Sequence, residues 1–182
     1  MGWTLDLRPI RNPWADHALL TGGRALYVAQ AFEEKCRSLL RFGHLTKGAE
    51  ADPIASLEDL IARLPADQLL GGTLTSLASL LPAAHKHGET LTAARGARNY
   101  IAHESLHFDL HSTSREGLME RMDALRQQVR VLAEGDNLIS TWLFHVEERD
   151  EPAPTHLVES YPLMIDQWVF EPVRALVAAA EA

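Results

Sequence analysis

Arg98, Asn99 and His103 stand within six residues of each other in the run Arg98-Asn99-Tyr100-Ile101-Ala102-His103. These side chains suit metal-free chemistry on a phosphodiester. Together they can grip a phosphate and move a proton without a metal. A histidine side chain can take or give the proton near neutral pH. An arginine offers a two-pronged donor to phosphate oxygens. An amide can orient water, phosphate or the imidazole. Arg98 could hold a phosphate, His103 could move a proton and Asn99 could orient either.

The next residues spell a rival. His103-Glu104-Ser105-Leu106-His107 matches H-E-x-x-H, in which two histidines one helical turn apart hold zinc and the glutamate acts as base. His111 extends the stripe by four residues. Two features oppose metallocatalysis: no H-x-x-G-x-x-H continuation follows, and no strand accompanies the helix. The expected cofactor is none. His103, His107 and Glu104 form the alternative metal set.

The surrounding elements all read as helix. Leu26, Ala29, Phe32, Cys36 and Leu39 recur at helical steps, so one helix should run from about Trp14 or Arg24 to Arg41, with Gly43 as its cap. Lys47 to Pro53 reads as a loop. Ser56 and Asp59 open a short helix that Pro65 ends. Gly71-Gly72 reads as a break before a helix from Thr73 to Leu81, and His85 to Gly88 as an exposed turn. Thr90 is the expected cap of the site helix, whose apolar stripe is Leu91, Ala94, Ala97 and Ile101, with Ser105 or Phe108 beyond. Thr113 and Glu116 form a T-x-x-E box ahead of the seam Leu118, Met122, Leu125, Val129 and Leu132. Gly135-Asp136-Asn137 interrupts that helix or ends it. Asp150 to Pro154 is the linker candidate, and Leu163 to Ala180 a last helix bent or restarted at Pro172. Alternating strand patterns are absent. The expected architecture is an all-α up-and-down helical bundle over residues 1–149, with an acidic linker and C-terminal helix, residues 150–182, packing on the same domain.

Charge and composition bound the partners. The net charge is −8 over 182 residues. Ten acidic residues and only Arg149 and Arg174 as basic ones lie from Glu134 onward, so the rest of the chain is neutral with 15 of each sign. Fourteen of the seventeen basic residues are arginine, the better phosphate fork. No apolar stretch is long enough to cross a bilayer, and the first residues carry no apolar run of signal-peptide length. Cys36 is alone and can form no internal disulfide. A cytoplasmic protein is the expectation.

A helical bundle carrying R-N-x-x-x-H on one of its later helices resembles the HEPN superfamily, on Arg98, Asn99 and His103 and over about Trp14 to Glu148. Looser arginine-to-histidine spacings also occur at Arg11–His17 and Arg37–His44, but the first contains Pro13 and the second passes Gly43. The resemblance implies a metal-independent endoribonuclease of toxin–antitoxin or phage-defence type. It also implies a site at a homodimer interface. Five residues turn an α-helix by about 140°, so Arg98 and His103 are not stacked neighbours, and a two-fold axis near this helix would let two copies build one cleft. The Ala/Gly-rich face around Ala93, Ala94, Gly96, Ala97 and Ala102 suits such an approach.

Arg95, Tyr100, His107 and Arg126 are the further candidates for RNA binding, with Arg121 and Arg130 as backbone guides. Trp142, Phe144, Tyr161 and Trp168 read first as core or interface residues and only second as a base-stacking platform. The expected partners are a second copy, an RNA substrate and an antitoxin or regulatory protein. The alternative function is a non-catalytic interaction or dimerisation module of the same superfamily. A zinc hydrolase using His103, Glu104 and His107 stands third.

Overall fold

The computed structural model describes residues 13–105, 114–148 and 151–181. Its elements are α1 (Pro13–Ala51), α2 (Leu57–Ala62), α3 (Leu70–Leu80), α4 (Pro82–Lys86), α5 (Gly88–His103), α6 (Arg115–Glu147) and α7 (Thr155–Glu181). Among the described residues there is no strand. Four long helices form an all-α, up-and-down bundle. Trp14 meets Arg115, and Lys35 meets Asp136, so α1 and α6 run parallel. α5 and α7 run antiparallel to that pair: Ala94 packs at Gly135, Tyr161 reaches Lys35, and Asp166 reaches Arg126. Each of α5 and α7 packs on both α1 and α6. The helices α2 to α4 fill the connection from α1 to α5 and cover the far end of α1.

The apolar stripes explain the packing. Phe32, Cys36 and Leu39 of α1, Leu77 of α3, Ala94 and Ile101 of α5, and Leu125, Val129 and Leu132 of α6 are essentially inaccessible. The predicted seam of α6 and stripe of α5 are therefore core, and Ser105 is buried with them. Cys36 lies in this core, where burial pushes its thiol pKa up, so it is no nucleophile at neutral pH.

Several element ends differ from expectation for identifiable reasons. Gly43 does not end α1, which continues to Ala51 through the expected loop. A Cβ at Gly43 would sit 3.6 Å from Leu80 of α3, and one at Gly48 would sit 3.0 Å from Leu60 of α2. Gly48 thus serves close packing, whereas at Gly43 the contact is an ordinary one that a side chain would also make; packing of the whole helix outweighs a helix-propensity cost of about 1 kcal/mol at each. Gly71 and Gly72 lie inside the first turn of α3, where a Cβ at Gly71 would be 2.8 Å from the Arg95 guanidinium carbon. Gly88 opens α5 ahead of Thr90, with His87 at the cap position. At α6 the cap is Ser114, whose hydroxyl accepts from the Gly117 N–H; Thr113 lies outside the described residues. The Ser56–Asp59 capping box forms as expected.

α6 passes through Gly135-Asp136-Asn137 without interruption because each residue has a packing role. Gly135 admits Ala94 of α5. Asp136 is 1% exposed and binds Lys35 at 2.8 Å. Asn137 donates to the Val158 carbonyl of α7 at 2.7 Å. α7 starts at Thr155, earlier than expected, and its helix is continuous across Pro162 and Pro172.

Polar keys hold α7 on the bundle. Lys35 also donates to Ser140 Oγ and to Tyr161 OH, each at 3.0 Å, and Tyr161 OH donates to Asp136. Burial alone would lower the Lys35 pKa; Asp136 and the hydrogen bonds outweigh it and hold the pKa above its ordinary value, so Lys35 stays charged. Asp166 is 3% exposed and takes a bidentate grip from Arg126 plus a 3.3 Å contact from Arg130. The Arg126 hydrogen bonds hold the Asp166 carboxyl below its ordinary pKa. A depressed folded-state pKa contributes stability that is present above the unfolded carboxylate value, about 3.9, and lost as pH falls through the folded value. Acid-induced loss of stability between about pH 5 and pH 2 should therefore be shallower in Asp166→Asn than in the parent. Equal slopes in urea titrations across that range would remove Asp166 from the acid response.

One end of α1 carries an imperfection. Thr21 is fully buried, and among the described residues its hydroxyl has no hydrogen-bond partner, nor does Nδ1 of buried His17 one turn earlier. Thr21→Val removes an unsatisfied group without changing shape, so the variant should be more stable by about 1 kcal/mol. A lower melting temperature would show that the hydroxyl is satisfied in solution.

Candidate functional site

The apolar stripe of α5 sets where its polar residues go. With Leu91, Ala94, Ala97 and Ile101 against the core, Asn99 and His103 fall on the opposite, exposed face, four residues apart. Arg98 stands at the boundary, its side chain 24% exposed. There it meets α1: Arg98 Nη2 is ion-paired with Oε2 of Glu33, and Nη1 donates to Asn99 Oδ1 at 3.2 Å. Glu33 is itself 7% exposed and takes Arg37 Nη2 on its other oxygen. The trio thus occupies one continuous helix, and a buried carboxylate from a second helix holds its arginine.

His103 is the last helical residue of α5. The Glu104 N–H bonds the Tyr100 carbonyl at 2.8 Å, and the buried Ser105 hydroxyl donates to the Ile101 carbonyl. These bonds close the helix at His103, so H-E-x-x-H does not lie on a helix over its whole length: Glu104 and Ser105 form a turn. His107 and His111 lie outside the described residues. Among the described residues no three His, Cys, Asp or Glu side chains converge as a metal site would require.

The other candidates divide. Arg95 is exposed on α5, three residues before Arg98, with its guanidinium laid over Gly71 of α3. Tyr100 is half-buried and packs against the core, whereas Asn99 and His103 are exposed. Arg126 does not join the trio. It faces α7, where Asp166 claims its fork, and Arg130 is tied to the same carboxylate. Tyr161 belongs to the Lys35–Asp136 network, while Trp142 is half-buried beside His87 at 5.9 Å between ring centres. Trp168 is 47% exposed and packs on Tyr27 at 5.8 Å. These aromatics serve helix contacts and form no common platform.

The small-residue face of α5 also differs from expectation. Ala94 and Ala97 are buried, and Ala94 is what Gly135 of α6 admits. The closest approach that this face permits is used inside the chain. Of its other members, Ala93 and Gly96 are exposed and Ala102 is half-buried.

Glu33 and Arg37 are the site-adjacent residues that motif reading misses. A signal exists: Glu33 lies four residues after Ala29 and three before Cys36, within the apolar stripe of α1. A carboxylate at a core position needs a cation. Among the described residues no helix is long and apolar enough to cross a membrane. Comparison of the chain with protein-family models, curated proteins and solved structures finds no match.

Proposed function

We propose that this protein is a metal-independent endoribonuclease of the HEPN type, working as a homodimer in the cytoplasm. One observation carries the reading: Arg98, Asn99 and His103 lie on one unbroken helix of an up-and-down bundle, with Asn99 and His103 on its solvent face. His103 takes the 2′-hydroxyl proton as that oxygen attacks phosphorus, or gives a proton to the departing 5′ oxygen. Arg98 holds the developing phosphorane charge through the guanidinium edge that Glu33 and Asn99 leave open. Asn99 orients the phosphate or the imidazole. A role as a toxin or defence effector, with a neutralising partner protein, accords with this chemistry.

A second reading has its own observation. A guanidinium paired with a buried carboxylate is also a common structural device, and the Glu33–Arg98 pair fits an inert interaction module. Labelled RNA incubated with purified protein in excess chelator separates the two. Cutting that His103→Ala lacks supports the ribonuclease. A folded dimer that leaves RNA intact supports the module.

A further inference from the structure

The buried carboxylate next to the trio has a use that the trio alone does not supply. Arg98 is long and flexible, and an unrestrained guanidinium loses entropy each time it must meet the phosphorane. Glu33 removes that freedom from a neighbouring helix. It engages one edge of a group with five N–H donors, and Asn99 engages one further donor. A carboxylate alone would also neutralise Arg98 and weaken its pull on phosphate. Arg37 prevents this. Its Nη2 binds the second Glu33 oxygen, so the cluster Arg98–Glu33–Arg37 keeps one net positive charge. The Glu34 contact to Arg37 at 3.1 Å is exposed, with the Glu34 side chain 61% accessible, and subtracts little.

We infer that Glu33 is a positioning residue for RNA cleavage: it fixes the Arg98 guanidinium at the edge of α5, and Arg37 balances its charge so that Arg98 remains an effective anion holder. The inference rests on the ribonuclease reading. It sets Glu33 apart from a merely structural acid, because its effect should pass through Arg98.

The test measures single-turnover cleavage of labelled RNA in chelator by the full chain. Glu33→Gln keeps shape and an oxygen acceptor but loses the charge, and should lower the cleavage rate about 10- to 100-fold with little change in KM. Arg98→Ala should regain part of its activity on addition of free guanidinium ion, well below denaturing concentrations, because Glu33 still offers the docking carboxylate. The double variant Arg98→Ala/Glu33→Gln should not. If Glu33→Gln does not fold, Glu33→Asp is read in its place, with an intermediate rate expected. A parental rate in the Glu33 variant, no guanidinium rescue of Arg98→Ala, or equal rescue with and without Glu33 overturns the inference while the ribonuclease reading stands. A parent that leaves RNA intact overturns the ribonuclease reading and the inference with it.

Discussion

Gly135→Ala is expected to destabilise the protein by roughly 2–4 kcal/mol, more than almost any surface change and against the helix-propensity trend. Alanine at an ordinary helix interior position would add about 1 kcal/mol over glycine. Here a Cβ at position 135 overlaps the methyl of Ala94 outright, and lies 3.7 Å from the Phe32 ring and 3.8 Å from the Ala94 Cα. The obstructing methyl is on a helix backbone and has no rotamer to retreat to. One of α5 and α6 must shift, and both are packed on α1. For a chain of this size the melting temperature should fall by about 5–15 °C. The compensating change is specific: Ala94→Gly in the same chain frees the volume and should recover most of the loss, because the propensity cost at position 94 is offset by the gain at position 135. A Gly135→Ala variant as stable as the parent would mean that the two helices stand further apart in solution.

The same residue shows how much of the fold was legible. Periodicity placed the α6 seam and the α5 stripe correctly because burial is what selects those residues. Glycine was harder to read. The sequence marks Gly43, Gly71 and Gly135 as breaks by local propensity, yet each sits within a helix where another chain segment approaches. Local preference amounts to about 1 kcal/mol, and packing over a helix of 39 or 33 residues exceeds it. The trio was legible as types and spacing. Its support was not, since Glu33 lies 65 residues before Arg98 and only the bundle brings them together. The pairing of Arg126 was illegible for the same reason. Its partner Asp166 is 40 residues away on a helix whose placement no local pattern specified.

His103→Ala should lower RNA cleavage by about 10²–10⁴-fold, the usual span for loss of a proton-transfer group. The fold should be unaffected, because His103 is exposed at the end of α5 and its turn is closed by Glu104 and Ser105. Arg98→Ala should cost a comparable factor, about 10²–10³, through lost transition-state charge. The two losses should not multiply: groups that act on one transition state are grossly non-additive, so the double variant should be little worse than either single one. Geometry makes a sharper demand. Arg98 is drawn against α1 while His103 faces solvent, about 140° apart around the helix. If each chain holds a complete site, a mixture of inactive Arg98→Ala and His103→Ala proteins stays inactive. If a two-fold axis brings His103 of one copy to Arg98 of the other, the mixed dimer regains one intact pairing, and cleavage returns on mixing and subunit exchange. Parental cutting by both single variants would remove the trio from the chemistry. Complementation between them would establish the homodimer and its shared cleft in one measurement, since no monomeric site can restore what each chain lacks.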